Sequence, residues 1–537
     1  MQKMQTIFMF DFSRLSQFGH KRKQVLKILF GVILSALTAC KSQKELSGSA
    51  TPAEIHWNKQ GMDAALKLSL ELNKPLFVYW GADWCPPCNE VKSTLFREKQ
   101  FIEATRDYLA VYLDGDTEDA QKWGEKLKAY GYPTLMLLTP QGREILRLSP
   151  YNSSEDIVAT MNFAKNQWDP VGQVLDELLI SDSIDKGRLK SLVNYSWSQD
   201  KDIKENPKPF LDKLFKLESK LDSANYAAEK ATLFLTALAL KLGSKKEGEL
   251  LPDPERQTYR KRVEILLADK NTLGANMVFF AYSGDEYLQF LTTADDDRDR
   301  KAWMNFYAEQ LRVFRNSKGV SRNNYYSSFY PLAGFSKKQG YIVDEADRRA
   351  LQSSLNSDLR VVKDTHERVT LVNHAGYLLN AFGNPEEAKE ILKSEIKAGL
   401  KPYYFMSSLG YIAKEEGQNK EALKWFEESY KEAKGPATRL QWYSNYVTNL
   451  MAIEPDSKDL IKKHVATLLG DYTGMVDSFW GRNYRVLESL RKKVSEWSVS
   501  TKESKWLAMV KDSGLKRCSQ STQETYKTSC EKYYKSY

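Results

Sequence analysis

Two cysteines separated by two residues carry the clearest chemistry in the sequence. Cys85 and Cys88 enclose Pro86 and Pro87, and the apolar run at residues 76–80 predicts a buried strand just before them. The residues that follow have helical spacing, so Cys85 is expected at a helix N-terminus, where unpaired N–H groups and the helix dipole stabilise a thiolate. Cys88 comes one turn later, close enough to attack a mixed disulfide formed at Cys85. The spacing therefore predicts thiol–disulfide exchange.

The same cysteine pair could also bind zinc or form a structural disulfide. Zinc sites in proteins have about four ligands. The only other cysteines free to serve, Cys518 and Cys530, lie in a separate C-terminal tail, and the five histidines are scattered. Redox chemistry is therefore favoured, no metal site is predicted, and a structural disulfide is the remaining alternative.

The residues around the pair resemble the thioredoxin family, especially the periplasmic domains of thiol:disulfide interchange proteins. The resemblance spans residues 55–166 and rests on the Trp-Cys-Pro-Pro-Cys motif at 84–88 and on Gly-Tyr-Pro-Thr at 131–134. The second motif is similar to the family's cis-proline loop. The resemblance implies a redox protein without flavin, nicotinamide or metal, whose Cys85–Cys88 disulfide serves as the redox centre.

The resemblance also implies roles for individual residues. Cys85 is the expected exposed nucleophile, and Cys88 is the partly buried thiol that resolves the mixed disulfide. Pro133 is expected to be cis and to present the backbone of Tyr132 to an extended substrate segment. Trp84 is expected to form an apolar shelf beside the site, with ordinary core packing as the alternative.

Two prolines in the active-site turn bear on the direction of electron flow. Pro86 and Pro87 have no N–H groups to donate to a thiolate at Cys85. We therefore expect a less acidic Cys85 than in an oxidase, and a more reducing protein.

One position departs from the family. Cytosolic thioredoxins have a buried aspartate six residues before the first cysteine, and this chain has Tyr79 there. Asp83 and Glu90 are the nearby carboxylates, but their spacing predicts exposure, so neither receives a role.

The pattern of apolar runs predicts a βαβ unit followed by a ββα unit. The predicted elements are a helix at 61–72, strands at 76–80 and 109–113, a helix from 117 to about 130, strands at 134–138 and 144–148, and a helix at 155–166. The order is the one expected for an α/β domain of this family.

The start of the chain has the pattern of an export signal. Basic residues at 21–27 precede an apolar run at 28–36 that is too short to span a bilayer and ends in Leu-Thr-Ala-Cys40. This ending resembles a bacterial lipobox, which implies lipidation of Cys40. Lys41 follows, so by analogy the expected place is the outer membrane, facing the periplasm. An ordinary signal peptide with an incidental Cys40 is the alternative.

The charge of the chain gives no indication of nucleic-acid binding. The formal net charge is +9, but residues 1–39 contribute six basic and one acidic side chain, so about +4 remains after cleavage. A small excess with mixed signs over some 500 residues is typical of a solvated surface. No nucleic-acid partner is predicted.

The remainder of the chain, from about residue 168, has helix-period apolar residues and one clear repeat. Four positions recur after 34 residues, namely Gly376, Gly383, Ala388 and Leu392 as Gly410, Gly417, Ala422 and Phe426. The period resembles the tetratricopeptide repeat, with a degenerate third unit expected near Thr438. The aromatic stretches 325–330 and 403–405 are expected either to pack in the core or to line a peptide-binding face.

The sequence therefore divides into six segments. They are a lipoprotein-type signal peptide (1–39), a lipidated linker (40–52), a thioredoxin-like domain (53–168), a solenoid-like helical region (169–367), tetratricopeptide-like repeats (368–470) and C-terminal helices with a tail (471–537). In the tail, Cys518 and Cys530 are expected to form a structural disulfide, with a second redox pair as the alternative.

The predicted function is that of a lipid-anchored periplasmic thiol–disulfide oxidoreductase, most simply a reductase of protein disulfides. The helical repeats would recruit protein clients or dock a partner, and a membrane electron donor would return the electrons. Two other functions stay open. One is a scaffold lipoprotein whose thioredoxin-like domain is an interaction module, and the other is a disulfide isomerase or chaperone.

Overall fold

The computed structural model describes residues 54–245, 249–293, 296–399 and 402–537. The expected signal peptide, the linker and Cys40 lie outside the described residues. Residues Ile55–Tyr537 form one compact unit.

A five-stranded mixed sheet forms the centre of the N-terminal domain. Its strands are β1 (Trp57–Asn58), β2 (Leu76–Gly81), β3 (Leu109–Asp114), β4 (Thr134–Leu138) and β5 (Glu144–Leu148). The order across the sheet is β1-β3-β2-β4-β5, with β1 and β2 parallel to β3, and with β4 antiparallel to β2 and β5. Every residue of β2 is buried, as its continuous apolar run predicts for a central strand.

Helices cover both faces of this sheet. They are α1 (Met62–Leu72), α2 (Pro86–Ser93), α3 (Lys99–Thr105), α4 (Glu118–Lys126) and α5 (Ser154–Ala164), with a 3₁₀ turn at Leu95–Arg97. Side chains cap α4 and α5, because Thr117 accepts a hydrogen bond from Ala120 N–H and Ser153 accepts one from Asp156 N–H.

The helix predicted from 117 to about 130 ends about four residues earlier in the structure, at Lys126. Arg147, which is 1% exposed, donates from its guanidinium group to the carbonyl oxygens of Leu127 and Lys128, at 2.6 and 3.0 Å. Lys128 has a φ of 52°, in the left-handed region that ends helices. The buried arginine thus satisfies the carbonyls at the helix end, a contact between distant segments that local spacing does not reveal.

The rest of the described chain is helical. The helices are α6 (Val171–Ile180), α7 (Lys186–Val193), α8 (Lys201–Glu205), α9 (Lys208–Lys220), α10 (Ser223–Gly243), α11 (Asp253–Ala268), α12 (Lys270–Ala275), α13 (Met277–Tyr282), α14 (Gly284–Leu291), α15 (Asp297–Arg315), α16 (Arg322–Ser327), α17 (Tyr330–Gln339), α18 (Glu345–Val361), α19 (Thr365–Ala381), α20 (Pro385–Lys397), α21 (Pro402–Glu415), α22 (Asn419–Glu432), α23 (Pro436–Ile453), α24 (Lys458–Tyr472), α25 (Gly481–Ser500), α26 (Ser504–Ser519) and α27 (Glu524–Lys535). Short 3₁₀ turns lie at Trp197–Gln199 and Val476–Phe479. In the described segments, no helix is both long enough and apolar enough to cross a bilayer.

The predicted fold class, an α/β domain followed by a large all-helical region, is confirmed. One hydrophobic core extends from the α/β domain into the first part of the helical region. Leu175 of α6, Leu189 of α7 and Leu214 of α9 share one buried cluster with Phe77 and Leu135 of the sheet. The first helices after the α/β domain are thus packed onto it as part of the same body.

The repeat found in the sequence corresponds to two successive helix pairs, α19–α20 and α21–α22. A Cβ atom on Gly410 would lie 2.7 Å from the ring of Phe426, and one on Gly376 would lie 3.0 Å from Leu392. The glycines therefore allow the two helices of each pair to approach closely. The specific likeness to tetratricopeptide repeats stays a prediction.

The aromatic stretches are divided between core and surface. Tyr326, Phe329 and Phe405 are buried in the hydrophobic core of the helical region. Tyr404 differs, because it lines a cleft that reaches Cys85. In the C-terminal tail, Cys518 and Cys530 are both buried and are joined by a disulfide bond.

Candidate active site

The cysteine motif lies where β2 leads into α2. Cys85 is the N-cap residue of α2, and its Sγ accepts a hydrogen bond from the backbone N–H of Cys88 at 3.3 Å. Pro86 and Pro87 occupy the first helical positions, so they contribute no N–H to this sulfur. Both thiols are free in the structure. The first turn thus presents one N–H donor to Cys85 where other sequences could present three.

Cys85 is not exposed, contrary to the sequence-based expectation. It is 4% exposed and Cys88 is fully buried, and both belong to the hydrophobic core of the α/β domain. Helices from the C-terminal half add contacts at the neighbouring Trp84. Burial raises the pKa of the Cys85 thiol well above its usual value, the adjacent Cys88 side chain raises it further, and the charge of Arg482 opposes this without reversing it. The buried position and the missing N–H donors act in the same direction, toward a protonated thiol.

The loop before β4 lies beside the motif. The peptide bond between Tyr132 and Pro133 is cis, and Pro133 is buried. The Tyr132 hydroxyl accepts a hydrogen bond from the side-chain amide of Gln121 at 3.0 Å. The rings of Tyr132 and Trp84 lie edge to face, with centroids 6.2 Å apart. The structure thus brings together the residues that the sequence assigned to substrate binding.

Two helices from the C-terminal half, α23 and α25, form a cover over this side of the motif, and we call them the cover helices. Trp442 of α23 packs edge to face on Trp84, with centroids 5.6 Å apart. The guanidinium carbon of Arg482 on α25 lies 5.1 Å from the ring centroid of Trp84 and 5.2 Å from that of Tyr132. Trp84 is therefore the contact between the motif and both cover helices, rather than an open shelf.

Side chains of the α/β domain cap the N-termini of both cover helices. The Asp116 carboxylate accepts hydrogen bonds from the backbone N–H and the hydroxyl of Thr438, at 2.7 and 2.6 Å. The Gln121 side chain accepts from the backbone N–H of Arg482 at 3.1 Å, and Glu125 accepts from that of Gly481 at 3.1 Å. Neither cover helix has a side-chain cap from its own N-cap residue. The caps therefore stabilise the helices only while they are docked.

A further helix, α19, contacts the other side of α2. Asn89, which is 1% exposed, makes a 2.6 Å hydrogen bond with the ring of His366 through its Oδ1. Its amide nitrogen donates to the carbonyl oxygens of Asp83 and Cys85, both at 2.9 Å. The active-site turn is thus held by an amide whose position depends on the helical region.

Tyr79 occupies the position of the family's buried aspartate. It is 1% exposed, and its hydroxyl has no hydrogen-bond partner of good geometry among the described residues. Burial raises the pKa of Tyr79 well above its usual value. Negative charge on Cys88, Tyr112 or Cys85 would raise this pKa further. The hydroxyl stays protonated and cannot replace the aspartate as a base for Cys88.

Glu90 is also placed differently from its predicted exposure. It lines a cavity of about 770 Å³ between α2 and the helical region, where Asn323 donates to its carboxylate at 2.5 Å. Burial raises the pKa of Glu90 from its usual 4.5 to about 7. His374 lines the same cavity, and burial lowers the pKa of this histidine to about 4. By contrast, Asp83 is exposed as predicted and pairs with Lys92 at 2.7 Å.

The raised pKa of Glu90 predicts a specific dependence of stability on pH. The unfolded chain releases this proton near pH 4.5 and the folded chain near pH 7. Between these values the unfolded chain binds fewer protons, so the free energy of unfolding falls as pH rises, by about 3 kcal/mol at most. We expect Glu90→Gln to remove this decrease when thermal midpoints are compared from pH 5 to 8. Glu98→Gln, at an exposed carboxylate nearby, is the control, and an unchanged slope in Glu90→Gln would contradict the assignment.

A cleft of about 640 Å³ leads from solvent to Cys85, and we call it the active-site cleft. The α/β domain contributes the residues of the motif and its cis-proline loop, and the helical region contributes α21, α23 and α25. Its lining includes Trp84, Cys85, Tyr132, Tyr404, Ser444, Asn445, Arg482 and Arg485. Cys85 is reached through this cleft.

Sequence reasoning missed the part of the site that the helical region supplies. Arg482 and Arg485 are three residues apart and therefore on one face of α25, but nothing in their spacing connects them with a motif almost 400 residues earlier. The aromatic stretch at 403–405 predicts core packing or peptide binding, and nothing in it connects Tyr404 with the thiols. In the described part of the chain, no three or more His, Cys, Asp or Glu side chains come together to hold a metal ion.

Comparison with known families agrees with the geometry at the motif. The family described as a thioredoxin-like domain matches residues 62–165. The chain carries a thioredoxin-like domain. A domain of this kind indicates a redox or disulfide-related function. A search among curated proteins gives no match to the chain.

Proposed function

We propose that this protein is a thiol–disulfide oxidoreductase that reduces disulfides in protein clients through Cys85 and Cys88. The observation that carries the proposal is a free cysteine pair at the N-terminus of α2, beside a cis-proline and at the end of an open cleft. The match to a thioredoxin-like domain supports the same chemistry.

The proposed reaction moves two electrons and two protons from the cysteine pair to the client disulfide. The Cys85 thiolate attacks one client sulfur, and the other client sulfur leaves as a thiolate that takes up a proton. Cys88 then loses its proton to the second leaving sulfur and attacks Sγ of Cys85. The products are two client thiols and a Cys85–Cys88 disulfide. A dithiol donor must return the two electrons before the next cycle.

Two features support reduction as the direction of this reaction. Cys88 N–H is the one donor that the first turn offers to Cys85, and burial raises the pKa of the Cys85 thiol. A poorly stabilised thiolate makes the dithiol form a stronger reductant. We expect a reduction potential near that of thioredoxin, about −270 mV, in equilibrium with a dithiol buffer. A value of about −120 to −180 mV would favour an oxidase or isomerase instead.

The direct test is the stoichiometric reaction of the reduced protein with a small neutral disulfide. We expect one molecule of disulfide to be consumed and the protein to lose the mass of two hydrogen atoms, with peptide mapping assigning the new bond to Cys85 and Cys88. The pre-existing Cys518–Cys530 bond serves as the internal reference. A protein that keeps both thiols under these conditions would contradict the proposal.

The proposal includes a place and partners for the protein. Lipidation at Cys40 would hold the domain at the outer membrane, facing the periplasm, and a membrane electron donor would supply the dithiol. The motif at residues 37–40 and the basic cluster at 21–27 support this part. The helical region supports the recruitment of clients, because α21, α23 and α25 contribute walls of the active-site cleft.

A further inference from the structure

The active-site cleft has two arginines beside Cys85 that form no ion pair with any described residue. Among the described residues that line it, the two with permanent charge are Arg482 and Arg485, both on α25. No carboxylate of the described chain lies within ion-pair distance of either guanidinium group, whereas Arg491 on the same helix pairs with Glu488 at 2.6 Å. The helix thus has two arginines without counter-ions at the cleft and one with a counter-ion away from it.

Neutral groups hold both arginines in place. Arg482 donates to the side-chain oxygen of Gln441 at 2.7 Å, and Arg485 donates to the carbonyl oxygen of Tyr130 at 2.7 Å. Burial lowers the pKa of Arg485, and the charge of Arg482 lowers it further. The pair therefore gains stability from any anion that enters between them.

A third group in the cleft is also without a partner. The hydroxyl of Ser444 on α23 is buried, with the residue 6% exposed, and it makes no hydrogen bond in the described structure. A buried hydroxyl without a partner is costly unless a ligand or water satisfies it. Ser444 and the two arginines line the same cleft, and together one hydroxyl and two guanidinium groups form a set of donors suited to a carboxylate.

We propose that the active-site cleft selects client segments in which an aspartate or glutamate lies next to the cystine sulfur. The carboxylate would bind Arg482, Arg485 and the Ser444 hydroxyl while the adjacent disulfide meets Sγ of Cys85. This inference rests on the proposed disulfide chemistry and adds the class of substrate. It also gives the helical region a role in catalysis, because it supplies all three of these groups.

The test uses three disulfide-linked peptide dimers that differ at one residue beside the cysteine, which is Asp, Asn or Lys. The reduced full chain reacts with each, and the rate of Cys85–Cys88 oxidation is measured at low ionic strength. We expect the Asp dimer to react at least about tenfold faster than the Lys dimer, with a smaller ratio at high salt. In Arg482→Gln, Arg485→Gln the ratio should fall to within about threefold. Arg491→Gln is the matched control and should keep the wild-type ratio.

The outcomes separate the two levels of the proposal. Equal rates for the Asp and Lys dimers would overturn the selection for acidic clients while leaving the disulfide chemistry in place. No oxidation of the cysteine pair by the neutral Asn dimer would overturn the proposed function itself. Dithiodipropionate, a small dianion, is the remaining probe, and a faster reaction with it than with the Asp dimer would overturn the assignment to a peptide segment. The readout is a ratio within one variant, so a partial loss of folded protein does not imitate the effect.

Discussion

Replacing Cys85 with serine is expected to lower the rate of disulfide reduction at least about a thousandfold, because a hydroxyl cannot replace the attacking thiolate. Cys88→Ser should behave differently. Cys85 remains free to attack, but the mixed disulfide with the client persists because the resolving thiol is missing. Reaction of each variant with the Asn peptide dimer, followed by intact mass, distinguishes the two cases.

The two variants are matched controls for each other. Each replaces a buried sulfur by an oxygen three residues from the other, so a general loss of packing would affect both in a similar way. A stable peptide adduct on Cys88→Ser and none on Cys85→Ser would assign the nucleophile. The reverse pattern would mean that Cys88 attacks first and that the proposed order of steps is wrong.

The α/β domain was predictable because its signals are local. The apolar run at 76–80, the Cys-x-x-Cys spacing and the Tyr-Pro-Thr segment each specify a short stretch of chain, and the structure has a strand, a capped helix and a cis-proline loop at those places. The error at the end of α4 also has a local explanation. Helical spacing continues through Leu127, but the carbonyl oxygen of Leu127 accepts a hydrogen bond from Arg147. Sequence periodicity does not reveal this contact.

The environment of the thiols was not predictable in the same way. The exposure of a cysteine at a helix N-terminus depends on what packs over it, and here Trp442 and Arg482 come from helices that begin more than 300 residues after the motif. The same reason explains Glu90, which lies in a cavity lined by the helical region and accepts a hydrogen bond from Asn323. Spacing on one helix indicates which residues share a face, but not which distant helix will cover that face.

The docked cover has a consequence for how clients reach Cys85. A protein disulfide must enter the active-site cleft or displace the cover helices, since Cys85 is 4% exposed. The caps from Asp116 and Glu125 connect docking of these helices to the α/β domain, at about 0.5–2 kcal/mol for each cap. The population of an undocked state is therefore sensitive to these two side chains.

We expect the double variant Asp116→Ala, Glu125→Ala to increase the alkylation rate of Cys85 at least about tenfold, because a loss of about 2 kcal/mol of docking energy raises the open population by that order. The measurement is the rate of modification by iodoacetamide at fixed pH, followed by peptide mass spectrometry. Glu118→Ala, at an exposed carboxylate of the same helix, is the control and should react like the wild type. Cys88, the second cysteine of the motif, is fully buried in the core of the α/β domain and reports on unfolding of that domain. Faster modification of Cys85 alone would show that the cover helices limit access to it, and equal acceleration at both thiols, or none at either, would contradict this.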